Sequence, residues 1–168
     1  MPHSLVAVVA MALASLVTFQ QHRSVLMQRM ISVRSQVSVE STAAASDRLE
    51  EVTATAFDEA VLTTAVHSAV SLTSFVSGAG QLGESADFND VDDYDGSVLE
   101  MERTASGKTL RFRTITRVSY VSELDGSTPV GYMTRLKKVS VEAVPLELTM
   151  ADTIRVSEVV ACGDLCQW

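Results

Sequence analysis

The chain has 168 residues and a net charge of −8, from 13 basic and 21 acidic side chains, a length that suits one compact domain with an attached helix better than two domains. The acidic balance and the scatter of its Lys and Arg exclude a nucleic-acid-binding face, which needs clustered cations against phosphate. Cys162 and Cys166, close together at the C-terminal end with no other cysteine, suit an exported protein.

The first element is apolar. Ser4–Phe19, SLVAVVAMALASLVTF, carries no charge, so it must leave water in one of three ways. A cleaved secretory signal would use Ala12-Leu13-Ala14 as its small-residue site, though no basic n-region precedes it. A transmembrane anchor wants about 20 apolar residues, which makes this segment a short span. A helix that rests in a membrane and is later buried among copies of itself meets the same demand with fewer residues.

Between Pro2 and Gly78 there is neither glycine nor proline, and all eight glycines lie from Gly78 onward. Leu26, Met30, Val33 and Val37 recur at helical spacing, as do Leu49, Val52, Ala56 and Ala60. These patterns predict one helix from about Ser4 to about Phe57, roughly 80 Å long at 1.5 Å per residue. Its charges are segregated: Arg23, Arg29 and Arg34 come first, with no acid before Glu40. Asp47, Glu50, Glu51, Asp58 and Glu59 follow, with Arg48 alone among them. Staggered copies could pair the basic stretch with the acidic one, and a solvated helix face is the alternative. Ala60–Phe75 can continue as helix or become a packed loop, and Gly78, Gly80 and Gly83 mark a connector.

From Ser97 the period becomes two. Leu110, Phe112, Thr114, Thr116, Val118 and Tyr120 alternate with Arg111, Arg113, Ile115, Arg117 and Ser119, which predicts a strand with one buried and one wet face. Asp125-Gly126 signals a turn, and a second strand is expected from about Val130 to Val144, closed by Pro145. Thr153–Val160 adds a shorter strand, and Ser97–Arg103 a fourth before the Ser106-Gly107 turn. An antiparallel meander of this kind needs a cover over its buried face, and the C-terminal half of the long helix can supply it. The fold class is therefore α+β: a long N-terminal α-helix packed on a four-stranded antiparallel β-sheet. Residues 1–40 are expected as a protruding helix and residues 41–168 as the globular head.

This architecture resembles that of type IV pilins and pseudopilins. Three segments resemble minor pilins of mannose-sensitive-haemagglutinin-type systems: Ala56-Phe57-Asp58-Glu59, Asp87-Phe88-Asn89-Asp90-Val91-Asp92-Asp93-Tyr94-Asp95-Gly96, and Arg135-Leu136-Lys137-Lys138-Val139-Ser140-Val141-Glu142. The resemblance implies anchoring in the inner membrane before assembly and export into a helical homopolymer with N-terminal helices in its core. It also implies a cell-surface filament used for adhesion or motility. Leu5, Val9, Leu13, Leu16, Arg23, Arg29 and Arg34 are the expected assembly residues. Family members carry a short basic leader ending in glycine and a glutamate at the fifth mature position; with the numbering read as that of the mature chain, Leu5 stands in that place. A pseudopilin or membrane-anchored binding module of a secretion machine is the alternative.

Catalytic chemistry finds little support. His3, His22 and His67 are far apart, and no nucleophile elbow, Walker loop or Rossmann glycine pattern occurs. The reading is a structural protein, not an enzyme. Cys162-Gly163-Asp164-Leu165-Cys166 departs from the redox spacing of two intervening residues, so a structural disulfide is expected, with two free thiols as the alternative. Asp87, Asp90, Asp92, Asp93 and Asp95 are oxygen ligands of the type calcium uses. Aligning Gly96 with the loop glycine of an EF-hand puts Asp93, Asp95 and Glu102 at ligand positions, but Val91 where an aspartate is required. A non-standard calcium site on Asp93, Asp95 and Glu102 and an acidic loop of Asx turns both remain open.

Overall fold

The structure, a computed structural model, describes residues 2–63, 65–72, 88–105, 107–147 and 152–167. The connector glycines Gly78, Gly80 and Gly83, together with Asp87, Ser106 and Trp168, lie outside the described residues. The chain divides into two compact units, Met1–Val37 and Ser38–Trp168.

The first helix, α1, runs from Pro2 to Thr53. It stops before the expected Phe57 because the next residues find other partners. The Thr55 hydroxyl donates to the Val52 carbonyl at 2.7 Å, and the Ala56 carbonyl accepts the Val91 N–H at 2.9 Å, which ends the ladder. A second short helix, α2 (Glu59–Thr63), follows. Its first two N–H groups are taken by carboxylates: Glu59 donates to Asp90 Oδ2 at 2.6 Å and Ala60 to Asp58 Oδ1 at 3.0 Å.

The sheet is a meander of β1 (Val98–Ala105), β2 (Lys108–Tyr120), β3 (Leu136–Pro145) and β4 (Ile154–Ala161), antiparallel throughout and in that spatial order. The α+β arrangement of a long helix on a four-stranded antiparallel sheet is thus present. Phe112, Thr114, Thr116, Val118 and Tyr120 all point inward, as the alternation requires, and Val139, Val141 and Ala143 do the same on β3. Ala105 pairs with Lys108, so the β1–β2 turn is tight and Gly107 takes φ +75°, a conformation that a side chain would strain.

The helix covers the inner face with small residues. Ser41, the adjacent pair Ala44 and Ala45, Leu49 and Val52 fall on one face at helical spacing and are buried. Arg103 on β1 reaches back to Glu40 at 3.0 Å and to Asp47, fixing the helix over the sheet edge.

The second strand of the expected hairpin begins at Leu136, not near Val130. Residues 121–135 instead form a wide folded loop. The Asp125 carboxylate accepts the N–H groups of Ser127 and Thr128 at 3.0 and 3.1 Å, and the Thr134 hydroxyl donates to the Val121 carbonyl at 2.8 Å. Pro129 and Gly131 fall where a continuous ladder would need paired N–H groups and a packed side chain. Only Val121 and Pro129 form a bridge there.

Candidate functional site

Among the described residues, two places carry chemistry beyond packing. The first is the surface of α1 in the Met1–Val37 unit. Val9, Leu13 and Leu16 are 49, 61 and 57 % exposed. Val8, Met11, Val17 and Phe19 are exposed as well, so apolar side chains occupy most of the helix circumference and not a single stripe. Leu26, Met27, Met30, Ile31 and Val33 extend this surface, and the exposed Arg23, Arg29 and Arg34 are interleaved with them. The side chain of Leu5 lies outside the described residues. Among the described residues no helix is long and apolar enough to cross a membrane.

The second place is a buried charge cluster in the Ser38–Trp168 unit, centred on Lys137. This lysine sits in the inward phase of β3 with Val139, Val141 and Ala143, and its side chain is fully buried. Its Nζ donates to the Phe57 carbonyl at 2.6 Å and contacts Asp58 Oδ2 at 3.2 Å and Asp92 Oδ1 at 2.5 Å. The rings of Phe57 and Tyr120 stand over the ammonium, with centroids at 4.5 and 5.2 Å. The Tyr120 hydroxyl donates to Asp58 Oδ2 at 3.5 Å.

The acidic loop is folded around the same cluster. A 3-10 turn at Asp92–Tyr94 is held by Asx contacts: Asp90 Oδ1 accepts the N–H groups of Asp92 and Asp93 at 3.1 and 3.2 Å, and Asp93 Oδ2 accepts those of Asn89 and Asp90 at 2.8 and 3.3 Å. Tyr94 packs under the Arg48 guanidinium, 4.8 Å from the ring centre. Burial pushes the Asp92 carboxyl up to about 7, against the pull of Lys137 and with help from the charge of Asp90. Asp90 is raised for the same first reason, and Tyr120 is raised by burial and by the negative Asp58 beside it.

The calcium set expected from the sequence is not assembled. Asp93 Oδ2 is engaged by its own loop, Asp95 Oδ1 accepts the Val118 N–H at 2.9 Å, and Glu102 lies on β1 opposite Arg111. Among the described residues no group of three or more His, Cys, Asp or Glu side chains could hold a metal ion. The acidic run builds Asx turns, the other of the two readings. His22, on α1, and His67, in the irregular segment after α2, are both exposed.

Cys162 and Cys166 form a disulfide, their Cα atoms 5.7 Å apart. Both are buried in a small core with Phe57, Val61, Val66, Leu72 and Tyr120. Cys166 bridges Val66, whose carbonyl accepts the Gln167 N–H at 2.8 Å.

In the sequence Lys137 stands only within the segment that resembles minor pilins and is given no role of its own. The available signal was its phase: it is two, four and six residues before Val139, Val141 and Ala143, all on one face of the strand. Comparison with family models, with curated proteins and with solved structures gives no match.

Proposed function

We propose that the chain is the structural subunit of a helical filament of the type IV pilin kind, assembled on the cell surface through α1. The observation that carries this reading is the apolar circumference of α1 before Arg23, which needs to be surrounded and not merely docked on one side. A second copy of the same chain is the occupant favoured by charge: before Glu40 the charged residues of α1 are the arginines at 23, 29 and 34, while Glu50 is exposed on its later turns beside Glu51, which pairs with Arg48 at 2.7 Å. A copy displaced along the axis brings acid against base, and opposite charges fix register even where they add little affinity. Lipid is the weaker match, because about 20 apolar residues span a bilayer core and the arginines interrupt the apolar run too early.

This role needs no catalytic group, and the uses that the pilin resemblance implies are adhesion and motility. Electron microscopy of material sheared from the producing cells tests it. Long fibres composed chiefly of this chain are expected. Chains that stay in the membrane fraction with no fibres would sink the filament reading and leave a membrane-anchored pseudopilin or binding module.

A further inference from the structure

Forming an amide between two side chains requires an amine and a carboxyl held in contact, a neutral carboxyl, a group to move protons, and the exclusion of water. Free in solution, lysine and aspartate do not meet these conditions together, since their ordinary pKa values of about 10.4 and 3.9 keep both charged. The cluster around Lys137 meets each of them. Nζ is fully buried and in contact with Asp92 Oδ1. Asp58 Oδ2 lies 3.2 Å from the same nitrogen, and the Phe57 carbonyl fixes Nζ from another side. Phe57 and Tyr120 wall the site with aromatic carbon.

The charges also do not balance as full ions. Asp58, on the chain after α1, and Asp92, on the acidic loop, both contact the one ammonium from β3, and Asp90 lies within its field. A buried excess of carboxylates is relieved by protonating one of them, and the Asp92 carboxyl, in contact with Nζ, is pushed up to about 7 by its burial. Asp92 Oδ2 has no hydrogen-bond partner among the described residues, as suits the oxygen that leaves.

We propose that Lys137 and Asp92 condense into an intramolecular isopeptide bond, with Asp58 carrying the protons. Asp58 takes a proton from the ammonium, and the freed Nζ lone pair attacks Cγ of the neutral Asp92 carboxyl. The C–N bond forms, Asp58 relays a proton from nitrogen to the departing hydroxyl, and the C–O bond breaks to release water. Nζ keeps one hydrogen, Asp58 ends protonated, and no oxidant or cofactor is consumed. Held contact replaces encounter, an advantage worth effective molarities of up to about 10⁵–10⁸ M in well-oriented pairs. The product ties β3 to the acidic loop across 45 residues of chain and replaces a buried ion pair with a neutral amide. The inference is independent of filament assembly.

The test is the mass of the full-length wild-type chain, purified folded, then reduced and denatured. The expected mass is that of the sequence less one water, with fragmentation giving a branched peptide that joins Lys137 to Asp92 and no tryptic cut after Lys137. The unmodified mass overturns the proposal. So does a water loss located at Asp95-Gly96 or Asp125-Gly126, where a backbone succinimide would form. Lys137→Arg keeps the charge but should show the unmodified mass; water loss retained there overturns the assignment. Asp58→Asn, with folding verified by circular dichroism, should slow bond formation by at least about 100-fold, the lower range of general acid–base assistance. An unchanged rate removes Asp58 from the mechanism. The wild-type mass decides the main point whether or not either variant folds.

Discussion

Lys137 holds two carboxylates and two aromatic rings together from the centre of a β-strand, so its loss is felt as unpaired buried charge. Relative to a wild-type chain in which the amide has not formed, replacing Lys137 with Met leaves Asp58 and Asp92 without their cation and should cost roughly 3–5 kcal/mol at neutral pH, the usual penalty for breaking a buried pair from one side. Urea unfolding monitored by circular dichroism measures it. The pH dependence has a definite sign. Burial raises Asp92 from 3.8 to about 7, so the folded state holds this proton more tightly than the unfolded chain. The associated stability is full below the unfolded value and is lost as pH rises through about 7. In Lys137→Met, which cannot form the amide, the urea midpoint should therefore be higher at pH 5 than at pH 8. Adding Asp92→Asn should flatten that difference, and an undiminished difference would assign the titration to another group. The phase of Lys137 was legible in the sequence, but its partners were not. Asp58 lies 79 residues away and Asp92 45, and nothing local to either segment marks the contact.

The strand β2 shows what alternation can carry: every second residue from Phe112 to Tyr120 is apolar or a threonine, and each is buried. The helix was equally legible, because nothing between Pro2 and Gly78 breaks one. Its end was not, since Ala56 leaves the helix to pair with the loop at Asp90, a contact made by tertiary structure. The start of β3 was misplaced for a similar reason, as side-chain hydrogen bonds from Asp125 and Thr134 build a loop where apolar spacing suggested strand. The helix-to-sheet contact depends on small residues. Ala45 is completely buried, and Ala45→Leu should destabilise by about 1–3 kcal/mol through overpacking, as thermal or urea unfolding would read. The disulfide acts locally. Its ring is far shorter than the 15-residue loop for which about 3 kcal/mol is expected. Reduction should accordingly shift the global midpoint little while exposing residues 65–72 and the C-terminal end to protease. A large loss of global stability would show that the bridge holds more than its own corner.

For the molecule as a whole the division at Val37 and Ser38 matters most, because it separates what folds from what is proposed to assemble. In the filament reading, Val9 lies in a core built from many copies, so a charge placed there is buried without a partner in every subunit. Val9→Asp should prevent assembly. The same change costs about 2.5–3.5 kcal/mol at a membrane centre on insertion scales, which weakens any anchoring as well. A chain shortened to begin at Ser24 separates the two effects. It retains Glu40, Ser41, Ala44, Ala45, Leu49 and Val52, the helix residues that cover and clamp the sheet, and should stay folded and soluble by circular dichroism. It should form no fibres by electron microscopy, at any concentration at which the full chain polymerises. Normal filaments from Val9→Asp, or from the shortened chain, would mean that the apolar segment is not the assembly element, and the reading of this protein as a pilin-like subunit would have to be given up.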